Sequence, residues 1–234
     1  MIQEHALGKI VDIKEGGEAV IIASLPSITR ALDRKYRDVE IIFPDGRRIT
    51  PLQRKKCFAI IGEIADFVEG FRSAETVEST KEMMKWEFIL SRMEAQERRL
   101  FSLSNVDETT AREFIDYLIE FCVKNDIPMS ISPLEYCEDI CRYVYACLMA
   151  KKCAVCGRPC DLHHVDSVGA NGGNREKINH LGLQCLPLCR EHHTELHSMG
   201  NKSFMDKYHL QSVAIDTKIA KLYRLNMKGR KDNE

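Results

Sequence analysis

The sequence predicts an α+β fold, with a mixed α/β domain over residues 1–150, a small zinc-held unit over 151–210 and a basic tail over 211–234. Three observations predict it. Short apolar runs bounded by Gly and Pro crowd the first part of the chain. Apolar positions three and four apart then mark helices up to residue 150. Past Lys152, most of the histidines gather in KCAVCGRPCDLHHVDSVGANGGNREKINHLGLQCLPLCREHHTELH, together with Cys pairs at metal-ligand spacing.

The elements follow in order. Leu7 to Ile13 alternates as a strand, the turn Glu15-Gly16-Gly17 follows, and Ala19 to Ala23 is an apolar run of the buried type. Pro26 opens a helix carrying Arg30, Arg34, Lys35 and Arg37. Val39 to Phe43 is a further strand, turned by Pro44-Asp45-Gly46 into Arg47-Arg48-Ile49. Thr50-Pro51-Leu52-Gln53 has the form of a capping box with Pro at the first helical position. Its helix sets Cys57, Ile60, Ile61, Ile64, Val68 and Phe71 on one stripe. Glu75 to Glu94 is charged and helical, with Trp86 expected in the core. Leu100 to Leu103 reads as a short strand. Asp107 to Lys124 is a helix with Ala111, Phe114, Ile115, Leu118, Ile119 and Cys122 inward, ended by Asn125 and Pro128. Ser132 to Glu135 is a second capping box, whose helix buries Leu134, Cys137, Ile140, Cys141, Val144 and Leu148 and runs to Lys151. Past Leu210 the chain is basic, then polar, and a frayed solubilising tail is the expectation.

Composition excludes little but places the chain. Lys and Arg number 34 against 35 Asp and Glu, so the net charge of −1 does not announce nucleic acid. Local charge does more. Arg47, Arg48, Arg54, Lys55 and Lys56 fall close together, the last three at a helix start, where like charge opposes the dipole. Phosphate is the better partner for them. No apolar run is long enough for a membrane span and no secretory segment is expected. The ten cysteines therefore read as thiols of a reducing cytoplasm rather than disulfides.

The metal ligands form two interleaved sets. Cys153 and Cys156 make a CxxC knuckle, and Cys189 with His192 repeats the spacing; together they suit one tetrahedral structural Zn²⁺. His193 and His197, four apart, share a helix face that His192 does not. With His163 they can hold a second ion, and His164, pointing the other way on a strand, can act as a base. Cys160 and Cys185 are expected in the core, with either a reserve ligand. A plain zinc finger would explain the first set and leave the histidines of the second without a role.

The stretch from Cys153 to Leu210 resembles an HNH (ββα-metal) nuclease domain, carried by CxxC, LHHVD, LPLCREHH and ELH. The resemblance implies metal-dependent phosphodiester hydrolysis, with His163, His193 and His197 holding a catalytic Mg²⁺ or Mn²⁺ and His164 as general base. The family's middle Asn lies nine residues before the helix histidine, which here is Gln184, with Asn179 and His180 nearby. Between the halves, GANGGNREK permits close backbone approach, and Arg175 or Lys177 can meet a phosphate.

The N-terminal part resembles, more weakly, the Orf (NinB) recombination proteins of lambdoid phages. TPLQRKKCFAIIGEIADFV and SLSNVDETTAREFIDYLIEFCVKNDIP carry that likeness. It implies a homodimer in the cytoplasm of a bacterial host that binds single-stranded or branched DNA, beside a host single-strand binding protein and a recombinase. Two readings compete with a nuclease: a non-catalytic recombination mediator whose zinc unit only binds DNA, and a zinc-finger regulator, for which no recognition-helix pattern stands out.

Overall fold

The computed structural model describes residues 8–24, 27, 29, 32–33, 46–92, 101–166 and 178–227. The chain divides into two units, Met1–Pro44 and Asp45–Glu234. In the first, β1 (Gly8–Ile13) pairs antiparallel with β2 (Ala19–Ala23), with a bulge between Ile10 and Asp12. Gly16 and Gly17, at φ 104° and 86°, make the turn. The run Ala19–Ala23 is not buried: Ile22 is exposed, and only Ile21 is half-buried. Pro26, the basic positions Arg30, Arg34, Lys35 and Arg37, and Val39 to Phe43 lie outside the described residues.

The second unit begins with helices. In α1 (Pro51–Glu69), Gln53 N–H donates to Thr50 Oγ1 at 3.1 Å and Thr50 N–H to Gln53 Oε1 at 3.0 Å, closing the capping box. Cys57, Ile60, Ile61 and Ile64 are buried, but the last turn of the stripe is not, because Val68 and Phe71 are exposed. Helix α2 (Ala74–Ser91) buries Met84 and Phe88 and leaves Trp86 49% exposed, so Trp86 is not a core residue. Phe101 to Leu103 form no strand. They enter a turn in which Ser102 O accepts Asn105 and Val106 N–H, while Phe101 and Phe114 meet edge to face at 5.2 Å.

Helix α3 (Glu108–Lys124), capped by Asp107, buries all six expected apolar positions and packs against α1 and α2. The helix expected from Ser132 is instead two. One turn, α4 (Pro133–Tyr136), has no side-chain cap and stops at Cys137; α5 (Ile140–Ala150) restarts with Asp139 as its cap. The break is held by the Asp116 carboxylate of α3, which accepts Glu138 N–H at 2.8 Å and Asp139 N–H at 3.2 Å. Lys56 clasps the same corner through Tyr136 O and Glu138.

Strands β3 (Asp161–His164), β4 (Gln184–Leu188) and β5 (Val213–Ala214) form an antiparallel sheet in that order. Helix α6 (Arg190–Met199) leaves β4 through Cys189, followed by α7 (Asn201–Tyr208) and α8 (Thr217–Leu222). β3, β4 and α6 together make a ββα unit. The expectation of a frayed tail past Leu210 is corrected: Ile215, Ile219 and Ala220 are buried, and Tyr223 Oη donates to Leu148 O of α5 at 3.0 Å. One apolar core runs from Ile49 to Ala220, so helices and metal-ligand stretch share it across residue 150. Among the described residues no helix is long and apolar enough to cross a membrane.

Candidate metal centre

The first ligand set converges where a tight turn meets a helix start. Gly157, at φ 71°, lets its N–H reach Cys153 O at 2.8 Å, which closes the knuckle. Cys189 is the N-cap of α6, and His192 stands one turn on. Cys156 Sγ lies 3.7 Å from Cys189 Sγ, and His192 Nδ1 lies 3.5 Å from Cys153 Sγ and 3.1 Å from Cys189 Sγ. Tetrahedral zinc with its usual bond lengths needs S···S of about 3.8 Å and S···N of about 3.5 Å. The donor set and spacing therefore fit zinc. Burial pushes the Cys153 thiol up to about 11. At Cys156 burial also acts upward, but the hydrogen bond from the Arg158 guanidinium and neighbouring N–H groups hold the thiol below its ordinary value. Arg158 is in turn paired with Glu191 of α6.

The second set lies on the other face of the same helix. Strand alternation turns His163 inward, 5% exposed, toward α6. His163 Nδ1 is 2.8 Å from His193 Nε2, and the His193 and His197 rings stack at 4.8 Å. The ligand atoms of these three lie within 4.8 Å of one another, as do those of the cysteine-rich set. Burial, then the neighbouring His193, lowers His163 to about 4, so its ring is neutral near pH 7 and can give a lone pair to a cation.

His164 faces away from that group, and its Nε2 lies 2.9 Å from His180 Nδ1. His180 is buried, and its backbone is fixed by His180 N–H to Asn226 O at 2.9 Å and Leu183 N–H to His180 O at 3.2 Å. The other residues expected near the base are turned elsewhere. Gln184 Oε1 accepts the Ser212 hydroxyl at 3.0 Å, and Asn179 Oδ1 accepts Leu181 N–H at 3.0 Å. Arg175 and Lys177 lie outside the described residues.

The family model described as "Putative HNHc nuclease" (HNHc_6) matches residues 24–226. The chain belongs to this HNH nuclease family. Membership makes it a metal-dependent endonuclease, and the match spans the helical part as well as the ββα unit. No curated protein and no solved structure matches the chain. The three-imidazole group suits the ion such a nuclease uses, because cis ligands on an ion bound at about 2.1 Å sit about 3 Å apart, close to the His163–His193 separation.

The basic cluster is less uniform than its sequence suggests. Arg47 pairs with Glu108 at 3.1 Å, Lys56 with Glu138 at 2.8 Å, and Arg54 Nη2 donates to Ser104 O at 2.5 Å. Arg48 and Lys55 are exposed. Of the three residues the sequence offered for the middle position, His180 is the one that meets His164, while Asn201, whose Oδ1 lies 3.4 Å from His163 Nε2, was missed. No periodicity or spacing marks Asn201.

Proposed function

We propose that this HNH nuclease hydrolyses DNA phosphodiester bonds with His163, His193 and His197 holding an exchangeable Mg²⁺ or Mn²⁺, and His164 as general base. Cys153, Cys156, Cys189 and His192 hold a structural Zn²⁺ that fixes the start of α6. The observation that carries this is the division of β3: His163 turns into the imidazole group while His164 turns to the buried His180. The divalent ion, when bound, acts as Lewis acid and template at the phosphate and the leaving 3′ oxygen.

The chain's own residues supply the proton chemistry. With its proton on Nε2 and donated to His180 Nδ1, the His164 ring takes the proton of the attacking water at Nδ1. The water oxygen bonds to phosphorus as the bond to the 3′ oxygen breaks. As His164 becomes an imidazolium, its hydrogen bond to His180 becomes charge-assisted, and His180 is the positioning residue that holds the ring. This gives the place expected for Gln184 to His180. Arg175 remains a proposed phosphate contact.

The substrate reading is narrower. The Orf-like stretches support single-stranded or branched DNA in phage-type recombination, a homodimer, and a host single-strand binding protein and recombinase as partners in the bacterial cytoplasm. Arg48 and Lys55, with Arg47, Arg54 and Lys56 where their internal pairs open, are the proposed DNA contacts. The test is cleavage of single-stranded, duplex and branched DNA with Mg²⁺, Mn²⁺ or EDTA. Cutting only with a divalent ion, fastest on single-stranded or branched forms, supports the reading; no cutting of any form refutes it.

A further inference from the structure

Asn201 opens α7 beside the imidazole group, placed there by a backbone turn that only glycine takes readily. Gly200 ends α6 and precedes α7 at φ 85° and ψ 153°, a region essentially closed to residues with a Cβ. Asn201 Nδ2 then donates to Val165 O, just past β3, at 2.8 Å. A carbonyl oxygen only accepts, so this bond fixes which way the amide faces: its NH₂ meets Val165 and its Oδ1 meets His163.

The contact from Oδ1 to His163 Nε2 is 3.4 Å, at the long end of hydrogen-bond range. Because Oδ1 also only accepts, the bond requires the His163 proton to sit on Nε2. The lone pair then lies on Nδ1, the atom 2.8 Å from His193 Nε2 and inside the ligand group. The Asn201 contact thus selects the tautomer, and the close approach of His193 to Nδ1 is compatible with it.

We propose that Asn201 is a positioning residue for the cation: it holds His163 Nε2 protonated and so selects Nδ1 as the ligand atom, with Gly200 setting its place. The inference rests on the reading of His163, His193 and His197 as an ion site. Partners of this kind orient ligand imidazoles, and removing one typically weakens metal binding about 10- to 100-fold.

The experiment titrates Mn²⁺ into the zinc-loaded full chain and follows the free ion by electron paramagnetic resonance. Wild type should bind Mn²⁺ at one site beyond its zinc, and Asn201→Ala should bind it about 10- to 100-fold more weakly with zinc content unchanged. Asn201→Asp keeps an acceptor for His163 but loses the donor to Val165, so it should recover most of the loss. Gly200→Ala, which meets open space and acts through the backbone alone, should weaken binding as well. Unchanged affinity in Asn201→Ala overturns the proposal. Equal losses in the Ala and Asp variants also overturn it, because the amide would then serve only to pin Val165. Should Asn201→Ala not fold, the imidazole ¹⁵N shifts of wild type in excess Zn²⁺ decide the matter: protonation of His163 at Nε2 supports the proposal and at Nδ1 overturns it. Wild type binding no Mn²⁺ at all is a distinct result, which removes the ion site itself.

Discussion

Replacing His180 tests how the base is held. The His164 Nε2 to His180 Nδ1 bond, 2.9 Å in length, becomes charge-assisted when His164 takes a proton. A hydrogen bond to a charged group is worth about 1.5–3 kcal/mol. At about 1.36 kcal/mol per tenfold in rate, His180→Ala should lower kcat roughly 10- to 150-fold. KM for DNA should not move, because His180 is buried and acts on the base rather than the phosphate. Its truncation also leaves a cavity, so the assay belongs well below the melting temperature of the variant. His180→Asn puts an acceptor oxygen near the lost Nδ1 and should restore much of the rate. In the double variant His164→Ala, His180→Ala, the second change should cost nothing further, since no base remains to orient. If His180→Ala cuts like wild type, or the two losses multiply in the double variant, His180 does not act through His164.

Further predictions concern zinc, DNA and pH. Cys153→Ser or Cys189→Ser should unfold the ββα unit and lose zinc together, because metal binding there is folding free energy; circular dichroism with metal analysis reads both. Replacing the exposed Arg48 and Lys55 with Ala should lower the log–log salt slope of single-strand binding by about 0.7 per lost phosphate contact, whereas Lys56→Ala should mainly cost stability. At Asp216, burial works upward, but Ile219 N–H at 2.8 Å and the Tyr145 hydroxyl at 2.9 Å hold its carboxyl below the ordinary range. A depressed carboxylate stabilises the fold above its unfolded pKa and loses that contribution as pH falls through the folded one. Asp216→Ala should therefore destabilise by about 0.5–2 kcal/mol near neutral pH, with the difference closing below about pH 4 in urea titrations.

What the sequence made legible was whatever depends on local spacing. The buried stripe of α3 and the capping box of α1 follow from residues three and four apart, and both stand where expected. The ligand groups were legible for the same reason, since CxxC, CxxH and HxxxH each span one turn. Features set by distant partners were not. The break before α5 depends on Asp116, 22 positions before Glu138, so the capping signal at Ser132 gave one helix where there are two. Trp86 stands on a face of α2 that the core does not use, which composition does not reveal. Past Leu210, the lysines masked Ile215 and Ile219, which the core buries. Spacing left Gln184, Asn179 and His180 open for the residue beside His164, and the choice falls to His180 because the chain before β4 brings it there.

The most direct test is to compare DNA cleavage and ion content in wild type and His164→Ala. Zinc and Mn²⁺ occupancy and DNA affinity should match between the two, because His164 belongs to neither ligand group. Cleavage should fall by about 10²–10⁴-fold, the usual worth of a positioned general base. Undiminished cutting by His164→Ala at full metal occupancy would contradict the assignment of His164 as the base and, with it, the mechanism.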